Sequence, residues 1–353
     1  MGHEIETIDR VGLRGEQAWH GLGTVIQDDL SAVDAAERFG LTWPVEGLPL
    51  YAMTRDGRYL PVDTHVANYR TADCDGQSIE HLLGVVGVDY RVCQNRELAE
   101  FTDALAETGR VTIESCGSLR GGKRVWFLAR GEAFTVGDTV DKVYPYILVS
   151  NGHDGTQAIR VTPTTVRVVC SNTLHMVIPR SEGERPESAA ITIRHSGKIS
   201  DKLEQARNAL KYYGSILQRN RDIFDAMQSQ AVEREQVVKL FADTYAAFWE
   251  VATPDELASQ SKEVRRNAEN RLARMQKAST LFLERYDSEK QELGLGDTLW
   301  TAFNAMTGFI QHDKAPRGKD DSDRIERRRE SNLFGINATR THEVLAASLA
   351  LAS

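Results

Sequence analysis

Five cations crowd one short stretch of this chain. Arg110, Arg120, Lys123, Arg124 and Arg130 stand against a single acid, Glu114, with Trp126 and Phe127 interleaved. Basic groups spaced along extended backbone can track a phosphate chain, and an exposed aromatic ring offers each base a stacking surface worth about 1–3 kcal/mol. Arg160, Arg167 and Arg194 follow on the next strand-like segments and would extend the track. The expectation is an interface for single-stranded nucleic acid, with Arg120, Lys123 and Arg124 on phosphates and Trp126 or Phe127 on bases. The plainer alternative is a basic hairpin tip whose Trp126 belongs to the core.

Other groupings carry less. Gly21-Leu22-Gly23 lacks both a preceding strand and the third glycine of a dinucleotide fingerprint, where Ile26 stands instead. His153-Asp154 sits in the glycine-rich turn Asn151 to Gly155, and Cys170 lies five residues before His175. Neither pair has companions at metal-ligand spacing, and a nucleophile and base at an odd separation on one strand point to opposite faces. A turn aspartate and a buried thiol are the expected identities. No catalytic residue, metal or cofactor is expected, and an enzyme is the least favoured class.

Length and composition set the frame. The chain has 353 residues, of which 41 % are hydrophobic and 27 % charged, an ordinary globular mixture with enough apolar content for a sizeable core. Its net charge of −8 argues against a wholly basic nucleic-acid coat. The acidity is local: residues 1–80 hold 6 Lys/Arg and 14 Asp/Glu, residues 81–200 hold 14 and 13, and residues 201–353 hold 23 and 24. A basic site in the middle is therefore not contradicted by the whole-chain balance. No apolar run approaches the ~20 residues of a membrane span, and the start lacks the basic and apolar regions of a secretory signal. Four cysteines without a C-x-x-C pair fit free thiols in a reducing cytoplasm.

The elements that would position the basic stretch form three blocks. Residues 1–80 are an acidic α+β region. There Ser31 and Gly40 bracket a short helix, and Asp56-Gly57 turns a hairpin between Leu50-Tyr51-Ala52-Met53 and Tyr59-Leu60-Pro61-Val62. Residues 81–195 hold a strand at Val85 to Val92, a helix that Asn95 caps and Gly109 closes, and the basic hairpin turned at Arg120-Gly121-Gly122. Strands at Val143 to Ser150 and Ala158 to Cys170 follow. In the second arm of the hairpin Val125, Phe127 and Ala129 share one face and Trp126 and Leu128 the other, a pattern for a strand covered on both sides. Pro179 to Ser188 is an exposed loop or seam.

Residues 196–353 are helical. A long stripe runs from Leu203 to Met227, a charged helix opens at Thr253-Pro254, an aromatic helix follows Asp297, and a last one starts near Thr341. Lys314 to Glu330 is a charged loop. The fold class is α+β: antiparallel sheet with hairpins in the N-terminal and middle regions, then a mostly helical C-terminal region.

Three separated signatures then come together. Ala18-Trp19-His20-Gly21-Leu22-Gly23, Val169-Cys170-Ser171-Asn172-Thr173-Leu174, and Thr298 to Thr307 with Leu333-Phe334-Gly335 resemble, in this order, a family of phage- and plasmid-like proteins of unknown function. The resemblance implies a mobile-element origin and a bacterial or phage-infected cytoplasm, and supplies no reaction. The order of elements in the middle block is loosely similar to the core of phage single-strand annealing proteins, an analogy of fold that implies binding or annealing of single-stranded DNA by an oligomer. On that reading the C-terminal helices hold protomers together. The alternative is a protein-interaction module whose acidic residues 1–80 meet a host or phage protein, such as a host defence that it inhibits.

Overall fold

A computed structural model describes residues 11–14, 24–26, 29–74, 77–109, 111–167, 173–175, 177–178, 187–188, 190–209, 213–313 and 335–352, with 319, 324, 327–328 and 331–332. The first helix shows how local chemistry fixes an element. Ser31 accepts a hydrogen bond from the Asp34 amide to start α1 (Ala32–Arg38), and Gly40 follows it at φ 64°. The predicted hairpin also forms, as β3 (Glu46–Met53) and β4 (Tyr59–Cys74), with Gly57 at φ 82° in the turn. A third strand, β5 (Gln77–Gly87), pairs along β4 and completes a separate antiparallel sheet in the order β3-β4-β5. The expected strand at Val85 to Val92 is thereby corrected, because residues 88–94 have already turned away.

The helix α2 (Asn95–Gly109) starts one residue earlier than capping by Asn95 would place it. The Leu98 amide donates to the Gln94 carbonyl, and the Asn95 amide group donates instead to the Leu41 carbonyl. After α2 come β6 (Thr112–Leu119), a 3-10 turn at Arg120–Gly122, β7 (Arg124–Arg130), β8 (Phe134–Thr135), β9 (Lys142–Gly152) and β10 (Ile159–Arg167). The main sheet runs β11-β10-β9-β7-β6-β1-β2, where β1 is Val11–Arg14, β2 Thr24–Ile26 and β11 Thr173–His175. Within this order only β1 and β2 run parallel. β12 (Val177–Ile178) and β13 (Glu187–Ser188) form a small pair, and β14 (Ile191–Ile193) adds to β10.

The two-sided pattern in β7 is realised. Val125, Phe127 and Ala129 enter a core with residues of α1, α2 and α3 (Ile199–Ala209), while Trp126 and Leu128 pack on the opposite face with Leu119, Tyr146 and Leu148. The helical half has its own core around Trp300, Phe303, Phe241 and Phe282. It is built from α4 (Tyr213–Ser229), α5 (Arg234–Phe248), α6 (Pro254–Leu257), α7 (Lys262–Leu293), α8 (Leu299–Gly308) and α9 (Ile336–Ala352). α5 adds a helix to the expectation, burying Val237, Leu240, Phe241, Thr244 and Tyr245 at helical spacing. The start at Thr253-Pro254 yields only the single turn of α6; Ser261 caps the 32-residue α7 separately. Thr298 rather than Asp297 caps α8, since Asp297 is engaged by Tyr286 and Lys290. The two halves are tied by the Trp300 indole N–H, which donates to the buried Asp141 carboxylate at 2.8 Å.

Candidate nucleic-acid interface

Strand register decides which of the basic residues share a surface. Arg124 faces Gly152 across the β7–β9 pair; Trp126 faces Ser150, and Ser150 in turn faces Arg160 on β10. Paired residues present their side chains on one side of a sheet. Arg124, Trp126 and Arg160 therefore lie on the same face, within roughly 10 Å across adjacent strands about 4.8 Å apart. Arg120 and Lys123 flank the turn at that same end. The four cations Arg120, Lys123, Arg124 and Arg160 are brought together, each half-buried. The Arg160 Nε is shielded from solvent and meets no acceptor among the described residues.

The turn itself is strained. Arg120 adopts φ 57°, followed by Gly121 at 68° and Gly122 at 95°. A side chain in this left-handed region costs about 1–2 kcal/mol relative to ordinary helical backbone. Gly122 has no alternative: a Cβ there would lie 2.9 Å from both the Arg70 Nε and the Trp43 ring. The turn thus rests on Trp43, over whose ring the buried Arg70 guanidinium sits at 4.4 Å.

Arg130 is separated from this group. It lies at the far end of β7, ion-paired at 2.8 Å with the buried Glu114 and stacked on Tyr144 at 4.8 Å. Glu114 is the extra residue where the register shifts between Ile113 and Ser115, a bulge that aims its carboxylate at Arg130 and at the Tyr146 hydroxyl. Burial, with the Glu114 charge beside it, pushes the Tyr146 phenol up. This cation already has its counter-charge, so the expected contribution of Arg130 to a phosphate track is corrected.

The aromatic part of the expectation is corrected as well. Phe127 is 0 % exposed in the core beneath α2, and Trp126, at 9 %, is packed between Leu128 and its neighbours. Rings without an open face cannot stack on bases. Arg167 ends β10 opposite Val143, and its side chain lies outside the described residues. Arg110, Cys170, and the Trp19-His20 and Gly21-Leu22-Gly23 segments lie outside them too. Arg194 is exposed just after β14.

Beneath the basic turn lies a buried polar network that the sequence did not reveal. The His153 amide donates to the Lys123 carbonyl, and its Nε2 meets the Asn95 Oδ1 at 2.9 Å. Asn68 donates to the His153 carbonyl, Asn151 to the Cys93 carbonyl, and the Tyr90 hydroxyl to the Gly152 carbonyl at 2.6 Å. His195 stacks on Tyr90 at 4.4 Å. Burial holds His153 down to about 3, so its ring is neutral and serves as scaffold. Asp154 accepts from the Thr156 amide and hydroxyl, which makes it the turn aspartate of the expectation. The only signal in the sequence was the clustering of Asn, Gly and His at residues 151–155.

Elsewhere, a cleft of about 640 Å³ opens between the β7–β8 connection, β9 and α4, lined by Glu132, Phe134, Lys142, Tyr213 and Arg221. None of the predicted site residues lines it. Among the described residues no group of three or more His, Cys, Asp or Glu could hold a metal ion, and no helix is long and apolar enough to cross a membrane. Residues 82–333 match the family model described as a domain of unknown function (DUF932). No curated protein and no solved structure matches the chain.

Proposed function

We propose that this chain, which belongs to the family described as a domain of unknown function (DUF932), binds single-stranded nucleic acid at the basic end of its main sheet. Arg120, Lys123, Arg124 and Arg160 neutralise phosphates; Trp126 shapes the surface from within, and Phe127 has no part in contact. Recognition is then of the backbone, salt-dependent and weakly selective among sequences. The observation that carries the reading is Arg120. An arginine held at φ 57° beside two glycines keeps a cation where glycine would be cheaper, and retained strain of this kind clusters at functional positions.

Titration of a labelled oligonucleotide by fluorescence anisotropy, from about 50 to 200 mM salt, tests it. The Arg120→Ala/Lys123→Ala/Arg124→Ala variant should bind at least tenfold more weakly with a flatter salt slope. Arg120→Gly should separate the two consequences of the strain: stability rises by about 1 kcal/mol while affinity drops. A folded triple variant with unchanged affinity and slope removes the proposal.

A further inference from the structure

The cleft beside α4 has features that packing alone does not require. α4 runs between the two halves: Tyr213 and Leu217 pack with the core under the main sheet, and Phe224 and Met227 belong to the helical core. With the β7–β8 connection and the start of β9, α4 encloses about 640 Å³. Small-molecule sites span roughly 300–1,000 Å³ and favour seams of this kind. Val111, Pro145, Leu217 and Tyr213 supply apolar lining, and the charged lining residues are Glu132, Lys142 and Arg221.

Two observations point to an occupant. The first is Gly214, which lines the cleft on right-handed helical backbone within α4. A Cβ at this position would meet nothing within 4 Å. Neither packing nor backbone conformation calls for glycine here, and after proline it is the residue a helix tolerates least. The effect of the missing side chain is to keep one wall of the cleft open.

The second is Arg221. Its guanidinium lies 5.5 Å from the centre of the Phe134 ring, and its Nε lies 4.0 Å from the Asp225 carboxylate. Asp225 is itself fixed, accepting the Gly137 amide at 2.6 Å. Held at Nε, the guanidinium keeps its two terminal nitrogens as a fork, with no other carboxylate within 4 Å among the described residues. A pre-oriented fork suits the paired oxygens of a carboxylate or phosphate. Lys142, exposed at the same cleft, adds a second cation against the single acid Glu132. Tyr213 is 5 % exposed, and its hydroxyl meets no partner among the described residues. Unsatisfied hydroxyls are rare inside native proteins, and one at the wall of a cleft can be satisfied by a bound molecule.

We propose that this cleft binds a small organic anion, an apolar ring system carrying one carboxylate or phosphate. The acid group meets the Arg221 fork with Lys142 beside it, and the ring lies along Val111, Pro145 and Leu217 in the space that Gly214 leaves open. The site is separate from the basic turn and does not rest on the nucleic-acid reading.

Isothermal titration calorimetry of the full chain with 1-naphthaleneacetate and 1-naphthyl phosphate tests the proposal, the two probes distinguishing a carboxylate from a phosphate. At least one should bind, one molecule per chain, with a Kd below about 1 mM. The neutral 1-naphthaleneacetamide should bind about tenfold more weakly than the better anion, and Arg221→Gln should weaken that anion by about the same factor. Glu132→Gln should tighten it about twofold, since an exposed like charge is removed. Gly214→Leu should abolish binding while the thermal midpoint stays level or rises, so the loss cannot be put down to unfolding. The Arg120→Ala/Lys123→Ala/Arg124→Ala variant should bind the probe as the wild type does, which separates failure here from failure of the nucleic-acid reading. Absence of binding by both anions at about 1 mM overturns the proposal. Binding that folded Gly214→Leu and Arg221→Gln leave unchanged overturns it equally, as does a preference for the cationic 1-naphthylmethylammonium.

Discussion

The two larger sheets of this molecule are made of similar strands and have opposite fates. β7, Arg-Val-Trp-Phe-Leu-Ala-Arg, is buried from Val125 to Ala129 because helices cover one face and a second apolar cluster the other. β3, with Leu48, Leu50, Tyr51 and Met53, is nearly as apolar and stays largely exposed. Apolar strand composition predicts pairing into a sheet; whether that sheet is covered depends on which helices reach it. Here α1, α2 and α3 pack on the main sheet, while among the described residues the β3-β4-β5 sheet, an arm beside it, meets the body at its base through Asn68, Arg70, Gly84 and Val86.

The contrast can be broken most severely in the core. Phe127→Ala should cost about 3–5 kcal/mol of unfolding free energy in urea denaturation, as a large buried ring is lost. Tyr51→Ala, a substitution of similar size on the arm, should stay within about 0.5 kcal/mol for the dilute monomer. Equal losses at the two positions would mean that the arm is covered in solution even when the protein is dilute.

The base of the arm is the next target. A Cβ at Gly84 would come within 2.6 Å of the Asp154 backbone, which cannot yield as a flexible side chain would. Gly84→Ala should therefore cost about 1–3 kcal/mol and raise hydrogen exchange along β4 and β5 while leaving β7 and β9 protected. Gly57, with open space around it, offers the matching control for the turn, though its φ of 82° adds strain of its own.

Acid should act on the same joint more gently. Burial holds the folded His153 at about 3 against an ordinary 6.5, and also lowers His195. Between those values the unfolded chain takes up a proton that the folded chain refuses. Stability is therefore full above about pH 6.5 and declines as pH falls toward 3. His153→Gln should remove its share of that decline in denaturation curves collected across the interval. Exchange in the β4–β5 ribbon should rise before exchange in the main sheet, since Asn68 is fastened to the His153 carbonyl.

Much of this architecture is written locally. The Ser31 cap, the Asp56-Gly57 turn, the two faces of β7 and the Pro254 helix start each follow from a few adjacent residues. The resemblance to an uncharacterised family also agrees with the match over residues 82–333. What the sequence concealed is contact between distant segments. Asn68, Asn95 and Asn151 look like turn or cap residues until the fold sets them around His153. Phe127 and Trp126 looked available to bases because alternation shows that two faces differ without showing whether either is open. α5 carries a clear helical period and needed no tertiary information, whereas the break between α6 and α7 depends on Ser261 acting as a second cap.

The bond between Trp300 and Asp141 spans 159 residues, and this separation sets an order on synthesis. Chains emerge from the ribosome N-terminus first, at about 5–20 residues per second, and segments fold as they become complete. The core beneath the main sheet draws its residues from Ala32 to Tyr213 and can close while the helical half is still being made. Asp141 already stands at the edge of that finished part, waiting several seconds for its indole. This bond between the halves can thus form only after residue 300 has been made, and a nascent chain stalled before Trp300 would present a folded sheet whose Asp141 lacks its indole partner.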